Sequence, residues 1–276
     1  MALAKPRITF MAVLMAWVGI WFAGGADMTT TIGTLLGTAF VVASANALNM
    51  IIERDGDKLM SRTANRPLPS GRMNTSTAVA FAVITAALSG YFLWFLANPL
   101  TFGLGFGALI GYVWVYTPLK RKSSLALPIG AIPGAAPPLL GWAAAARSVD
   151  APGLVLFAIM FLWQLPHFLA ISVYLKKDYS GAGIVVVPLE SSDANAQRMA
   201  LTYALALVPM SAALYFLGVA GWLYLAVALI SSIAFCAILL KDIRGGTDAW
   251  AKPGFLASLI YLPVLMLGLF IDGVLL

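Results

Sequence analysis

The sequence is short of charge and of the side chains that build most sites. Only 10% of its 276 residues are charged, against about a quarter in soluble domains. It has one cysteine, Cys236, set in an apolar run, so a disulfide-built fold is excluded. It has one histidine, His167. No low-complexity tail and no recognisable soluble domain occurs. Disorder is excluded as well, because 61% of the residues are hydrophobic. What the sequence has in abundance is long apolar runs, the mark of a polytopic membrane protein.

A spanning helix needs roughly 20 mostly apolar residues. Windows of that length predict about nine transmembrane helices, near 9–25, 32–52, 75–96, 100–117, 125–145, 153–175, 200–218, 220–240 and 254–272. Continuous runs exclude barrel strands, which alternate over about ten residues. The first run has a signal-like flank, Lys5-Pro6-Arg7, but no small-x-small cleavage site precedes a soluble domain, so it reads as the first helix. The fifth run carries Pro128, Pro133, Pro137 and Pro138 and is expected to be kinked or broken, with the freed backbone facing protein or a cavity.

Orientation follows from the basic residues. With a cytoplasmic N-terminus, every Lys and Arg except Arg147 falls in cytoplasmic loops. Most acids share that side, leaving only Asp27, Asp150 and Asp272 opposite. A topology signal explains the basic residues and not the acids beside them. Chemistry is therefore expected at the cytoplasmic face.

After the second run, Asn49, Glu53 and Asp57 fall at i, i+4 and i+8, a spacing that stacks their oxygens on one helix face. Asp55 points roughly the opposite way. Carboxylates at a helix C-terminus oppose the dipole and repel one another. A hard cation such as Mg²⁺, bound by one or two carboxylates and phosphate oxygens, would favour them. Arg54, Lys58, Arg62, Arg66 and Arg72 bring phosphate donors to the same stretch. A solvated loop of paired charges on anionic lipid is the other reading of the spacing. Lys120, Arg121 and Lys122 form a second basic cluster, open to the same two readings.

The sixth run contains Trp163-Gln164-Leu165-Pro166-His167-Phe168, then Tyr174, Asp178 and Tyr179. At 100° per residue, Gln164, His167, Tyr174 and Asp178 return to one stripe. A polar residue within a span defaults to a functional hypothesis. For His167 the residues leave packing, haem ligation and proton acceptance open.

These blocks resemble the UbiA-type intramembrane prenyltransferases. The resemblance rests on Lys5-Pro6-Arg7, on Asn49 through Pro67, on Tyr116-Thr-Pro-Leu-Lys-Arg through Gly141-Trp142, and on Trp163 through Gly183. The Trp-Gln-x-Pro-His-Phe and Asp-Tyr-x-x-Ala-Gly blocks point to the haem-modifying branch of that family.

The resemblance implies an all-α bundle of nine helices forming a single domain, 1–276, around a central cavity open to the cytoplasm of a bacterial inner membrane. It implies farnesyl diphosphate and haem B as substrates, haem O and diphosphate as products, and haem as substrate rather than cofactor. Asn49, Glu53 and Asp57 would be catalytic and hold Mg²⁺. Arg54, Lys58, Arg62, Arg66, Lys120 and Arg121 would bind the diphosphate, and Gln164, His167 and Asp178 would line the substrate site. The lipid bilayer, with haem A synthase or oxidase assembly proteins, would be the partners, and nucleic acid would not. Glu53 stands where the family usually has Asp, and a lone Asp178 replaces the usual multi-aspartate second motif. The rivals are a relative with another prenyl acceptor and, from a different class, a membrane transporter.

Overall fold

A computed structural model describes residues 2–59, 63–176, 180, 185–241, 243 and 248–275. Arg62 and Asp178 lie outside the described residues. Among those residues the secondary structure is helical throughout, with no strand. The principal helices are α1 (Pro6–Phe22), α2 (Met28–Ile52), α3 (Thr75–Tyr91), α4 (Pro99–Ile110), α5 (Ala126–Ala146), α6 (Ala151–Tyr174), α7 (Asp193–Phe216), α8 (Trp222–Leu239) and α9 (Ala251–Leu275). Turns of π-helix extend α3 through Ala97 and, with a short α-helical turn, α4 through Leu119.

Eight of these helices among the described residues are long and apolar enough to cross a membrane. The ninth expected span corresponds to α1, which is apolar but only 17 residues long. Most boundaries fall within a few residues of the apolar runs. The exception is α7, which starts at Asp193 rather than near 200. Its polar first turns are helical because Ser192 caps them, accepting from Asn195 N at 3.1 Å. Gln197 then donates to Leu239 O at 2.9 Å and Lys241 O at 2.8 Å, closing the carbonyl end of α8.

The chain forms two compact units, one up to Gly153 and one from Leu154 on. In the first, α1 packs on α5 through glycines. A Cβ at Gly19 would overlap Pro138 O, and one at Gly141 would overlap Ala16 O, so the two backbones touch. Of the two outcomes expected, kinked or broken, the helix is not broken: α5 runs from Ala126 to Ala146 with Pro133, Pro137 and Pro138 inside it. Its stretch 135–144 is buried throughout, which is where a helix with missing N–H groups is tolerated. Asn98 ties α4 to this helix: Oδ1 accepts from Thr101 N at 2.9 Å, and Nδ2 donates to Ala143 O at 2.9 Å. Ser44 and Ser89 cross-link α2 and α3 through Ala82 O and Gly37 O.

In the second unit, buried Asp272 on α9 accepts from Gly221 N and from Tyr224 N, the latter at 3.2 Å, and so caps α8. Tyr261 Oη lies 2.8 Å from Ser211 Oγ and 3.0 Å from Ser232 Oγ, joining α7, α8 and α9. Polar side chains thus hold apolar helices together where lipid gives no hydrophobic drive.

The α1–α5 contact yields a test. Gly141→Ala should lower stability by about 1–3 kcal/mol, the usual cost of overpacking, read as a lower Tm in detergent. Gly103→Ala, with nothing within 4 Å of the added Cβ, should leave Tm unchanged or raised.

Candidate active site

α2 ends at Ile52, with Glu53 as its C-cap, and a single helical turn continues over Arg54–Asp57. The i to i+4 bonds carry through this joint: Glu53 N donates to Asn49 O at 2.9 Å and Asp57 N to Glu53 O at 2.8 Å. The helical phase is kept, so Asn49, Glu53 and Asp57 share one face. All three are buried, at 3%, 5% and 5% exposure, while Asp55 is exposed. Apolar surroundings alone would not hold two carboxylates there.

Cations from elsewhere in the first unit answer that burial. Lys120, just past α4, contacts Glu53 Oε1. Arg66 Nη1 sits 2.7 Å from Asp57 Oδ2, and Thr63 Oγ1 donates to Asp57 O at 2.7 Å. The Arg121 guanidinium lies across Gly56, where any Cβ would displace it. Burial and the Arg66 guanidinium push the Lys5 ammonium down to about 8, with Asp57 opposing. Burial, followed by Lys5 and Arg121, pushes Lys120 down to about 7, against the pull of the Glu53 carboxylate in contact with it. Four cations therefore crowd two carboxylates closely enough to raise one another's energy. Such an excess suits a polyanion.

Asn49 is oriented by a short relay. Thr117 Oγ1 donates to Tyr112 O at 2.8 Å, across the widened π turn of α4. Its lone pair then accepts from Asn49 Nδ2 at 3.2 Å. The amide nitrogen is thus committed, and Oδ1 is the end left for a ligand. Among the described residues no group of three His, Cys, Asp or Glu could hold a metal. Two carboxylates and one amide oxygen nonetheless fit Mg²⁺, which takes few protein ligands and completes its shell with phosphate oxygens and water.

The structure brings together Asn49, Glu53, Asp57, Arg66, Lys120 and Arg121. It does not bring Arg54 and Lys58 to them. Both pair with exposed Asp55, at 3.4 and 3.1 Å. Arg54 also donates to Thr75 Oγ1 at 3.1 Å, and the two cations line a separate groove of about 360 Å³ with Asn74 and Thr75. The reason is geometric: Arg54 and Lys58 lie beside Asp55 on the turn, away from the Glu53–Asp57 face.

In the second unit, Gln164 is buried and its amide donates to Met160 O at 2.9 Å. His167 Nδ1 lies 2.8 Å from Ser258 Oγ. Tyr174 is exposed, so the expected stripe does not keep one environment. Three participants escaped the residue reasoning. Lys5 stood out only as a basic flank of the first run and in a family motif, Thr117 only within the family block that begins at Tyr116, and Ser258 carried no signal at all.

The UbiA prenyltransferase family matches residues 12–259 of this chain. The chain belongs to that family. It is a transferase and an integral, multi-pass membrane protein. It is 50% identical over 241 residues to a protoheme IX farnesyltransferase of Sorangium cellulosum, covering 87% of this chain and 86% of the relative. It is 43% identical to the protoheme IX farnesyltransferase of Myxococcus xanthus, covering 99% and 94%. The haem-modifying branch to which the motifs pointed is thus where these relatives lie. Among solved structures, a digeranylgeranylglyceryl phosphate synthase superposes with TM-score 0.86 at 18% identity, over 100% of this chain and 97% of its own. A UbiA homologue of Archaeoglobus fulgidus bound to GPP and Mg²⁺ superposes with TM-score 0.68 at 18% identity, over 98% of each chain. These two likenesses establish the fold.

The Asn49 relay predicts a measurable coupling. Thr117→Val strands a buried amide N–H and should cost about 1–3 kcal/mol of stability. Adding Asn49→Leu should recover part of that loss, seen as a positive coupling in a double-mutant cycle of thermal melts.

Proposed function

We propose that this chain transfers a farnesyl group from farnesyl diphosphate to a vinyl group of haem B, giving haem O and diphosphate. The observation that carries the reading is the buried set of Asn49, Glu53 and Asp57 crowded by Lys5, Arg66, Lys120 and Arg121. Relatives named protoheme IX farnesyltransferase, at up to 50% identity, support haem as the acceptor. The near-exclusive placement of Lys and Arg on one side supports a cytoplasmic N-terminus and a site facing the cytoplasm of a bacterial inner membrane.

Asn49 Oδ1 and the Glu53 and Asp57 carboxylates would hold Mg²⁺ in this reading, and the ion would supply neutralisation of charge on the diphosphate oxygens. Lys120 and Arg66 are the counter-ions of Glu53 and Asp57, and with Lys5 and Arg121 they are placed to take phosphate oxygens instead. The farnesyl C1–O bond breaks heterolytically, and its electron pair leaves with the diphosphate. These cations stabilise the charge that develops on the leaving oxygen. The vinyl π electrons of haem attack the allylic cation, forming the new C–C bond. Water then adds to the resulting cation and releases a proton, leaving the hydroxyethyl-farnesyl substituent. The apolar walls of the helices exclude water from the allylic cation until the vinyl group reaches it.

Asp57→Ala removes a metal ligand and the partner of Arg66. Turnover should fall by at least about 10²-fold, with the variant still folded and membrane-inserted. The assay is mass spectrometry of purified protein in detergent with haem B, farnesyl diphosphate and Mg²⁺. Haem O from the wild type alone supports the reading. Product made from another acceptor and never from haem B contradicts the haem assignment. Full Mg²⁺-dependent activity in the variant contradicts the metal assignment.

A further inference from the structure

The single histidine is held at one nitrogen by a hydroxyl whose own proton is already committed. Ser258, on α9, donates to Phe255 O at 2.6 Å, one turn back along its own helix. A serine hydroxyl has one proton to give. The 2.8 Å contact between Ser258 Oγ and His167 Nδ1 therefore runs from Nδ1–H to the hydroxyl oxygen. Trp163 Nε1 donates to Ser258 O at 2.8 Å, which fixes the serine from its backbone side.

The ring plane is fixed as tightly as its hydrogen bond. Trp163, one turn before His167 on α6, stacks on the imidazole with centroids 5.4 Å apart and planes 26° apart. Phe255 leans on it at 5.1 Å, and Phe168 meets it edge-on at 5.4 Å. With the proton on Nδ1, the neutral ring carries its lone pair on Nε2. No hydrogen bond reaches Nε2 among the described residues, and the residue is only part-buried.

We propose that Ser258 is a positioning residue, which locks His167 in its Nδ1–H form and so presents Nε2 as an axial ligand to the haem iron. The proposal rests on the reading of haem as the prenyl acceptor. A ligating histidine typically donates its other N–H to an oxygen acceptor, which fixes tautomer and ring direction. The alternative role, a proton acceptor, is backed elsewhere by a carboxylate that stabilises the imidazolium. Here the backing group is a neutral hydroxyl, and the ring is clamped by three aromatic side chains. Ligation would fix the macrocycle at its centre and leave its vinyl edge at a set distance from that point.

The test is resonance Raman spectroscopy of the full chain in detergent with ferrous haem B, alongside an optical titration of haem. The wild type should bind haem and show an iron–histidine stretching band. His167→Ala should lose the band while the protein stays folded by circular dichroism, and added imidazole should restore a ligand band. Ser258→Ala should keep the band at a lower frequency, because Nδ1–H has lost its acceptor, with haem affinity weaker by about tenfold. Ser258→Thr, which keeps the hydroxyl, should restore the wild-type frequency. Haem binding with the band intact in His167→Ala, or a frequency unmoved in Ser258→Ala, overturns the proposal. A folded wild type that binds no haem overturns the acceptor reading itself, and this inference with it.

Discussion

Two carboxylates at the carbonyl end of α2 are the constraint around which the first unit is arranged. The helix dipole, their mutual repulsion and their burial all act against them. Their cations arrive from three separate stretches of chain: Lys5 ahead of α1, Arg66 beyond the turn after α2, and Lys120 with Arg121 after α4. Those stretches meet only when the first unit is folded. The packing of apolar helices and the electrostatics of the site are therefore one problem. The close contact of α1 with α5 through Gly19 and Gly141 fixes the helix that starts beside Lys5.

The same site carries more positive charge than its carboxylates need. Lys5 and Lys120 are both driven toward losing their protons by burial and by neighbouring cations. In the proposed reading a diphosphate would relieve that crowding, and a divalent cation beside it would give Glu53 and Asp57 a partner once Lys120 and Arg66 turned to phosphate oxygens. Metal and diphosphate are thus expected to enter as a pair, since each cancels the charge that excludes the other.

Much of this was legible from the residues because it depends on spacing along one helix. The apolar runs located the helices, and the i, i+4, i+8 spacing placed Asn49, Glu53 and Asp57 on one face. The same rule, applied to each residue, separates Arg54 and Lys58 from that face, although proximity in sequence had grouped them with it. What was not legible depends on contacts between helices. Thr117 acts through a π turn that no periodicity announces, and Ser258 reaches His167 from a helix 91 residues away. The continuity of α5 through three prolines depends on its burial, which composition does not state. The early start of α7 depends on a serine cap and a glutamine reaching the end of α8.

The central claim is that the face of Asn49, Glu53 and Asp57 binds a metal and a diphosphate together. Calorimetric titration of the purified protein with inorganic pyrophosphate, with and without Mg²⁺, and with Mg²⁺ alone, tests it most directly. The account predicts tight binding of pyrophosphate only with Mg²⁺ present, and weak binding of Mg²⁺ alone. Tight binding of Mg²⁺ alone, unaltered by pyrophosphate, would contradict it.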